Sequence, residues 1–125
     1  MILDNDILID LNRRHPAAVA WLRSLADPPP AAGFAVMEFL NGARNNREWD
    51  TLERFLRDFQ AAWPSEAGMD FARLHFTRYR LSHGVGMIDT LIAITALEMD
   101  EPLATFNIRH FSAIAGLRLV QPYQR

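Results

Sequence analysis

The sequence contains no cysteine and no lysine. The first absence excludes a disulfide framework and any thiolate metal site. The second leaves arginine as the identity of all thirteen basic residues. Arginine binds phosphate in a bidentate way, although a biased genome composition would give the same count. No apolar run reaches the roughly 18 residues of a membrane span. Asp4, Asp6 and Asp10 interrupt the N-terminus too early for a signal peptide, so the expected compartment is the cytoplasm. The net charge is −2, which supplies no global basic field for nucleic acid. There is also no internal repeat, low-complexity stretch or linker, and 125 residues suit one domain spanning 1–125. Half the residues are hydrophobic and about a fifth charged, the profile of a soluble globular chain.

What is present reads as strands alternating with helices. Met1-Ile2-Leu3 is an apolar run whose carboxyl end carries Asp4, Asn5 and Asp6, and residues 7–11 continue as a short helix or turn. Pro16 opens a second helix at its first position, with Ala17, Ala20, Trp21 and Leu25 on its apolar face and three prolines after Asp27. Residues 31–35 form a plausible second strand, and 36–42 a short helix closed by Gly42. Between Arg47 and Trp63, the residues Trp49, Leu52, Phe55, Leu56, Phe59 and Trp63 make one apolar stripe, which predicts a helix ended by Pro64. Ser65 caps the next helix, about 66–83, with Phe71, Leu74 and Leu81 expected to be buried; these two helices read as an antiparallel hairpin. A strand at 103–105, a loop at 106–111 and a last strand at 117–120 ended by Pro122 complete the chain. This alternation predicts an α/β domain with a four- or five-stranded, mainly parallel sheet.

The most informative stretch is Gly84 to Ala96. Ile88, Leu91, Ile92 and Thr95 repeat at helical spacing, with one acid, Asp89, in the first turn. That acid complements the helix dipole; buried, it calls for a cationic partner. No lysine or arginine lies between Arg80 and Arg109, which makes a metal ion a candidate. Glu38 stands inside an apolar run, and either points outward or faces a site. Sites in parallel sheets form beyond the carboxyl ends of strands where strand order reverses, and Asp4, Glu38 and Asn107 all follow predicted strands. Three carboxylates and an amide oxygen suit Mg²⁺ or Mn²⁺, ions that activate water in phosphoryl chemistry. Phosphodiester hydrolysis follows. An aspartyl-phosphate phosphatase or a two-component receiver also places acids after a strand, but both use a lysine to hold phosphate. His15, His75, His83 and His110 lack paired zinc spacing, and no nucleophilic Ser–His motif or phosphate-cradling glycine loop occurs. His110 stays of interest because it lies close to Asn107.

From Met1 to about Pro122 the chain resembles the PIN-domain ribonucleases, in particular the VapC-type toxins of toxin–antitoxin pairs. Four places carry the resemblance: Leu3-Asp4-Asn5-Asp6-Ile7-Leu8-Ile9-Asp10, Met37-Glu38-Phe39-Leu40-Asn41-Gly42, Asp89-Thr90-Leu91-Ile92-Ala93, and Thr105-Phe106-Asn107-Ile108-Arg109-His110-Phe111. The resemblance implies an Mg²⁺-dependent endoribonuclease with Asp4, Glu38 and Asp89 as metal ligands and Asn107 as a further catalytic residue. It also implies an RNA substrate, a VapB-type antitoxin and a homodimer. Asn107 falls where many members have a fourth acid, Asp6 where members commonly have Asn, Ser or Asp, and Phe34-Ala35-Val36 lacks the Ser or Thr often found there. A catalytically weak binding module, acting through an antitoxin–operator complex, is the rival expectation. Arg13, Arg14 and Arg109 are candidates for positioning RNA backbone.

Overall fold

Two short apolar strands make the centre of the sheet. β1 (Ile2–Leu3) and β4 (Leu103–Ala104) are fully buried and pair in parallel, Ile2 with Leu103 and Leu3 with Ala104. The computed structural model describes residues 1–80, 84 and 86–125. β2 (Ala31–Ala32) joins the other side of β1, β3 (Ala61–Ala62) flanks β2, and β5 (Leu119–Val120) flanks β4. The order is β3-β2-β1-β4-β5, all parallel. The chain therefore builds outward from β1 in one direction, then crosses back to β4 on its other side. That reversal puts a topological switch point between β1 and β4, where an open parallel sheet leaves a crevice at its carboxyl edge.

Alternation along each strand sends neighbouring residues to opposite faces. Ile2, Ala32 and Leu103 pack against Ala35, Ile92, Ala93, Ala96 and Phe111 on one face. Leu3, Ala31 and Ala104 pack against Ile7, Leu8, Leu11, Ala18, Phe39 and Leu56 on the other. The helices supplying these residues are α1 (Asn5–Asn12), α2 (Pro16–Arg23), α3 (Gly33–Asn41), α4 (Asn46–Leu56), α5 (Glu66–Tyr79), α6 (Met87–Glu98) and the short α7 (Ile108–Phe111). α3 contributes to both layers. α6 is apolar almost all round and buried from Thr90 to Ala96, as expected of a helix covered on both sides.

Several sequence expectations are corrected. Strand β2 stops at Ala32, and α3 begins at Gly33, so Phe34 and Ala35 are helical. α4 ends at Leu56 rather than Trp63; the chain then turns and enters β3. No hairpin of α4 with α5 forms, because β3 lies between them and α5 packs on α6 through Ala72, Leu91 and Ile94. Phe71 and Leu74 are 57% and 60% exposed rather than buried, since the covered face of α5 is the one that carries Ala72. Leu81 and the expected end of this helix near His83 lie outside the described residues, as does Val85.

Candidate active site

Asp4 ends β1 and starts α1. Its extended backbone makes it the N-cap, and its Oδ1 accepts the Asn5 N–H at 2.7 Å. Its other oxygen, Oδ2, accepts the Thr105 hydroxyl at 2.7 Å. Thr105 follows β4 and is fully buried, so this hydrogen bond joins the carboxyl ends of the two strands that flank the switch point. Thr105 Oγ1 in turn accepts the Asn107 N–H at 3.0 Å. Asp6, on the first turn of α1, accepts the Phe106 N–H at 2.7 Å through Oδ2, while its Oδ1 is buried without a hydrogen-bond partner. Two acids of the N-terminal segment thus anchor the corner at residues 105–107.

Asp89 enters from the first turn of α6 and is partly buried. His110, on α7, stands beside it, with Nδ1 3.3 Å from Asp89 Oδ2. Glu38, on α3, is exposed but within electrostatic reach of both Asp89 and His110. The side chain of Asn107 is at the surface, and its backbone, rather than its amide, makes the contact with Thr105. The structure therefore brings Asp4, Asp6, Asp89 and Glu38 into one electrostatic neighbourhood and leaves the Asn107 amide at its rim.

All four acids hold their protons more tightly than ordinary carboxyls. Burial pushes Asp4 up to about 7; the Thr105 hydrogen bond opposes this, and the charges of Asp6 and Asp89 add to it. Burial also raises Asp6, against the Phe106 N–H and the Arg125 charge. Asp89 is raised by burial and partly relieved by His110. Glu38 is raised by burial and then by Asp89, again relieved by His110. Such a concentration of mutually repelling acids suits a hard divalent cation, as do the all-oxygen donors and the orphaned Asp6 Oδ1. Among the described residues, no three carboxylate or imidazole groups are drawn close enough to enclose an ion in this arrangement.

Sequence reasoning left two features unread. Thr105 stands within its motif without a role in the sequence reading, and its hydroxyl donates to Asp4; its signal was a polar residue directly after a buried strand. The second is a clamp on Asp10, which accepts the Tyr123 hydroxyl at 2.8 Å and Arg125 Nε and Nη2 at 2.9 and 3.0 Å. The Arg125 guanidinium also lies 4.8 Å from the centre of the Phe106 ring, which packs on Tyr123. The C-terminal segment thereby grips the residue whose N–H holds Asp6. No local pattern reveals a pairing more than a hundred residues long.

Residues 1–117 match the PIN domain family. Ribonuclease VapC19 of Mycobacterium tuberculosis is 35% identical over 124 residues, covering 94% of this chain and 96% of its own length. Ribonuclease VapC10 of the same species is 34% identical over 120 residues, covering 94% and 90%. Among solved structures, the DNA-bound VapBC of Salmonella typhimurium superposes with a TM-score of 0.76 at 22% identity, covering 95% of both chains. At that identity it speaks to the fold alone, and the fold agrees. With a family match across nearly all of its length and relatives above 30% identity, this chain belongs to the PIN domain family, alongside the VapC ribonucleases.

Proposed function

We propose that this protein is a divalent-metal-dependent endoribonuclease and the toxin of a toxin–antitoxin pair. The observation that carries the reading is the buried Asp4 at the carboxyl end of β1, hydrogen-bonded to Thr105 after β4 across the switch point, with Asp89 of α6 within electrostatic reach. The relatives named ribonuclease support RNA as the substrate. Because β5 extends the sheet past residue 117 and the Tyr123–Arg125 clamp closes on α1, the functional domain is taken as 1–125.

In this reading Asp4 and Asp89 hold Mg²⁺, with Mn²⁺ as an alternative, and Glu38 completes the protein's share of the ligands. When bound there, such an ion would supply a water of lowered pKa and offset charge on the scissile phosphate. The remaining residues position these groups. Thr105 orients the Asp4 carboxyl, the Phe106 N–H fixes Asp6, and His110 steers Asp89. Asn107 offers a neutral oxygen at the rim and is the weakest of the catalytic candidates.

Partners follow from the neighbours. The Salmonella structure is a VapBC assembly on DNA, and another neighbour is a toxin–antitoxin complex from Klebsiella pneumoniae. We assign a VapB-type antitoxin and a homodimer to this chain by analogy. Exposed Trp49, Trp63, Phe71 and Leu74 offer the apolar surface such contacts use. Among the described residues, no helix is long and apolar enough to cross a membrane, in keeping with a cytoplasmic site of action. The absence of an acid at Asn107 favours one rival, a weak or inactive PIN module that works by binding. Cleavage of a total RNA pool, with Mg²⁺ or EDTA, separates the two. Metal-dependent cleavage by wild type that is lost in Asp89→Asn supports the nuclease, and absence of cleavage by antitoxin-free wild type on any RNA supports the module.

A further inference from the structure

Glu38 of the candidate site lines one end of a groove along α1, and arginines dominate its other end. Its inner part, a cavity of about 250 Å³, is lined by Asn5, next to Asp4, and by Glu38 and Arg13. Its outer part, of about 590 Å³, shares Asn12, Arg13, Gly42 and Leu52 with the inner one and adds Arg44, Arg47 and Thr51. The groove follows α1 from Asn5 to its C-cap at Arg13 and leaves past the N-terminus of α4.

Three arginines, Arg13, Arg44 and Arg47, line this one short path. Arg44 is engaged by Glu48, at 2.7 Å. Arg13 and Arg47 are exposed, and among the described residues their guanidinium groups have no hydrogen-bond or ion-pair partner. Glu48 is the one acid of the outer part, and Arg44 already neutralises it. Unpaired guanidinium groups in a groove that leads to a phosphodiester-cleaving centre match a chain of phosphates in charge and in donor geometry. The eight residues of α1 span about 12 Å, room for about three phosphates of a stacked strand. An acidic protein segment would meet the same arginines, and what favours RNA over it is the nuclease reading of the acids at the inner end.

We propose that this groove is the track for the backbone of single-stranded RNA, with Arg13 and Arg47 as its phosphate-binding side chains and Arg44 as a third contact. The proposal rests on the nuclease reading for the choice of RNA as the anionic chain and for the direction of the strand, while the binding measurement below is made without cleavage.

The test measures binding apart from cleavage. A short fluorescein-labelled single-stranded RNA is titrated with protein in EDTA at several salt concentrations, for wild type, Arg13→Ala, Arg47→Ala, the double variant, Arg13→Lys, and Arg57→Ala as a control at the far end of α4. Each single alanine variant is expected to lower affinity about three- to tenfold and to reduce the salt slope by about 0.7, and the double variant to reduce it by about 1.4. Arg13→Lys should keep the slope, Arg57→Ala should match wild type, and thermal unfolding should be unchanged throughout. Cleavage of the same RNA in Mg²⁺ is measured in parallel. Wild type that binds through these arginines but does not cleave would sink the nuclease reading and leave the track standing. Wild type that cleaves, with a double variant that binds RNA at unchanged affinity and slope, would overturn the track alone. The track is also overturned if wild type binds no RNA, or if the variants keep RNA and lose a co-expressed antitoxin, which would make the groove a protein seat.

Discussion

Replacing Asp4 by asparagine should stabilise the protein and inactivate it. Asp4 is 2% exposed and its carboxyl titrates near 7, against 3.8 for the ordinary group. Between those values the folded protein keeps a proton that the unfolded chain has released. Stability therefore falls as pH rises through this window, and above pH 7 the charged carboxylate costs up to about 4 kcal/mol. An amide removes that cost. It also loses an acceptor, since Asp4 now receives both the Asn5 N–H and the Thr105 hydroxyl, and one such loss costs about 1 kcal/mol. The net gain at pH 8 is about 2–3 kcal/mol, turning into a loss of about 1 kcal/mol near pH 4. Urea unfolding in EDTA across this range, for wild type and Asp4→Asn, measures the difference directly. A difference independent of pH would show that Asp4 is charged without strain and would refute the argument. Adding Mg²⁺ at pH 8 should close the gap from the wild-type side, by about 2.7 kcal/mol at a hundredfold excess over Kd, and leave the variant unmoved.

Asp89→Asn should lower RNA cleavage by orders of magnitude, and Asn107→Ala by clearly less, because a neutral rim oxygen holds a cation weakly; single-turnover cleavage assays rank them. Arg125→Ala should cost about 1–2 kcal/mol at pH 7, discounted for an arginine that is nearly half exposed. The Arg125 hydrogen bonds hold Asp10 below the usual carboxylate range, so this stabilisation is present above the unfolded pKa and disappears as pH falls through the folded one; equal effects at pH 7 and pH 3 in denaturant titrations would count against the clamp. Phe111→Ala, at a ring that is fully buried between α7 and the sheet, should cost about 3–5 kcal/mol in the same assay.

The central fold was legible because its signals are local. An apolar run stopped by acids marked β1, Pro16 marked the start of α2, and helical spacing around Asp89 marked α6. The edge strand β3 was not legible: it is two alanines, partly exposed, with no β-forming pattern. It was absorbed into a helix because Phe59 and Trp63 extend the stripe of α4. In the structure Phe59 does pack on Phe55, at 5.5 Å, but from a turn. Trp63 meets Phe34 edge-on at 5.4 Å. The aromatic spacing was real, and the chain between the rings was not helical. Phe71 and Leu74 failed differently, since apolar periodicity marks a face and does not say that the face is covered.

The acids of the candidate site were named from sequence, but their unequal mounting was not. Asp4 and Asp6 are built into the sheet edge by Asn5, Thr105 and Phe106, with the C-terminal clamp behind them. Glu38 and Asp89 come from the helices α3 and α6, and among the described residues His110 is the basic group beside them. Buried carboxyls held by backbone donors cannot move far without losing those bonds. Glu38, which is exposed, can change rotamer at small cost. The separation of the acids among the described residues therefore has a physical reading: in the proposed nuclease, Glu38 on α3 would be the side chain free to complete a metal site, against a fixed floor made by the ends of β1 and β4.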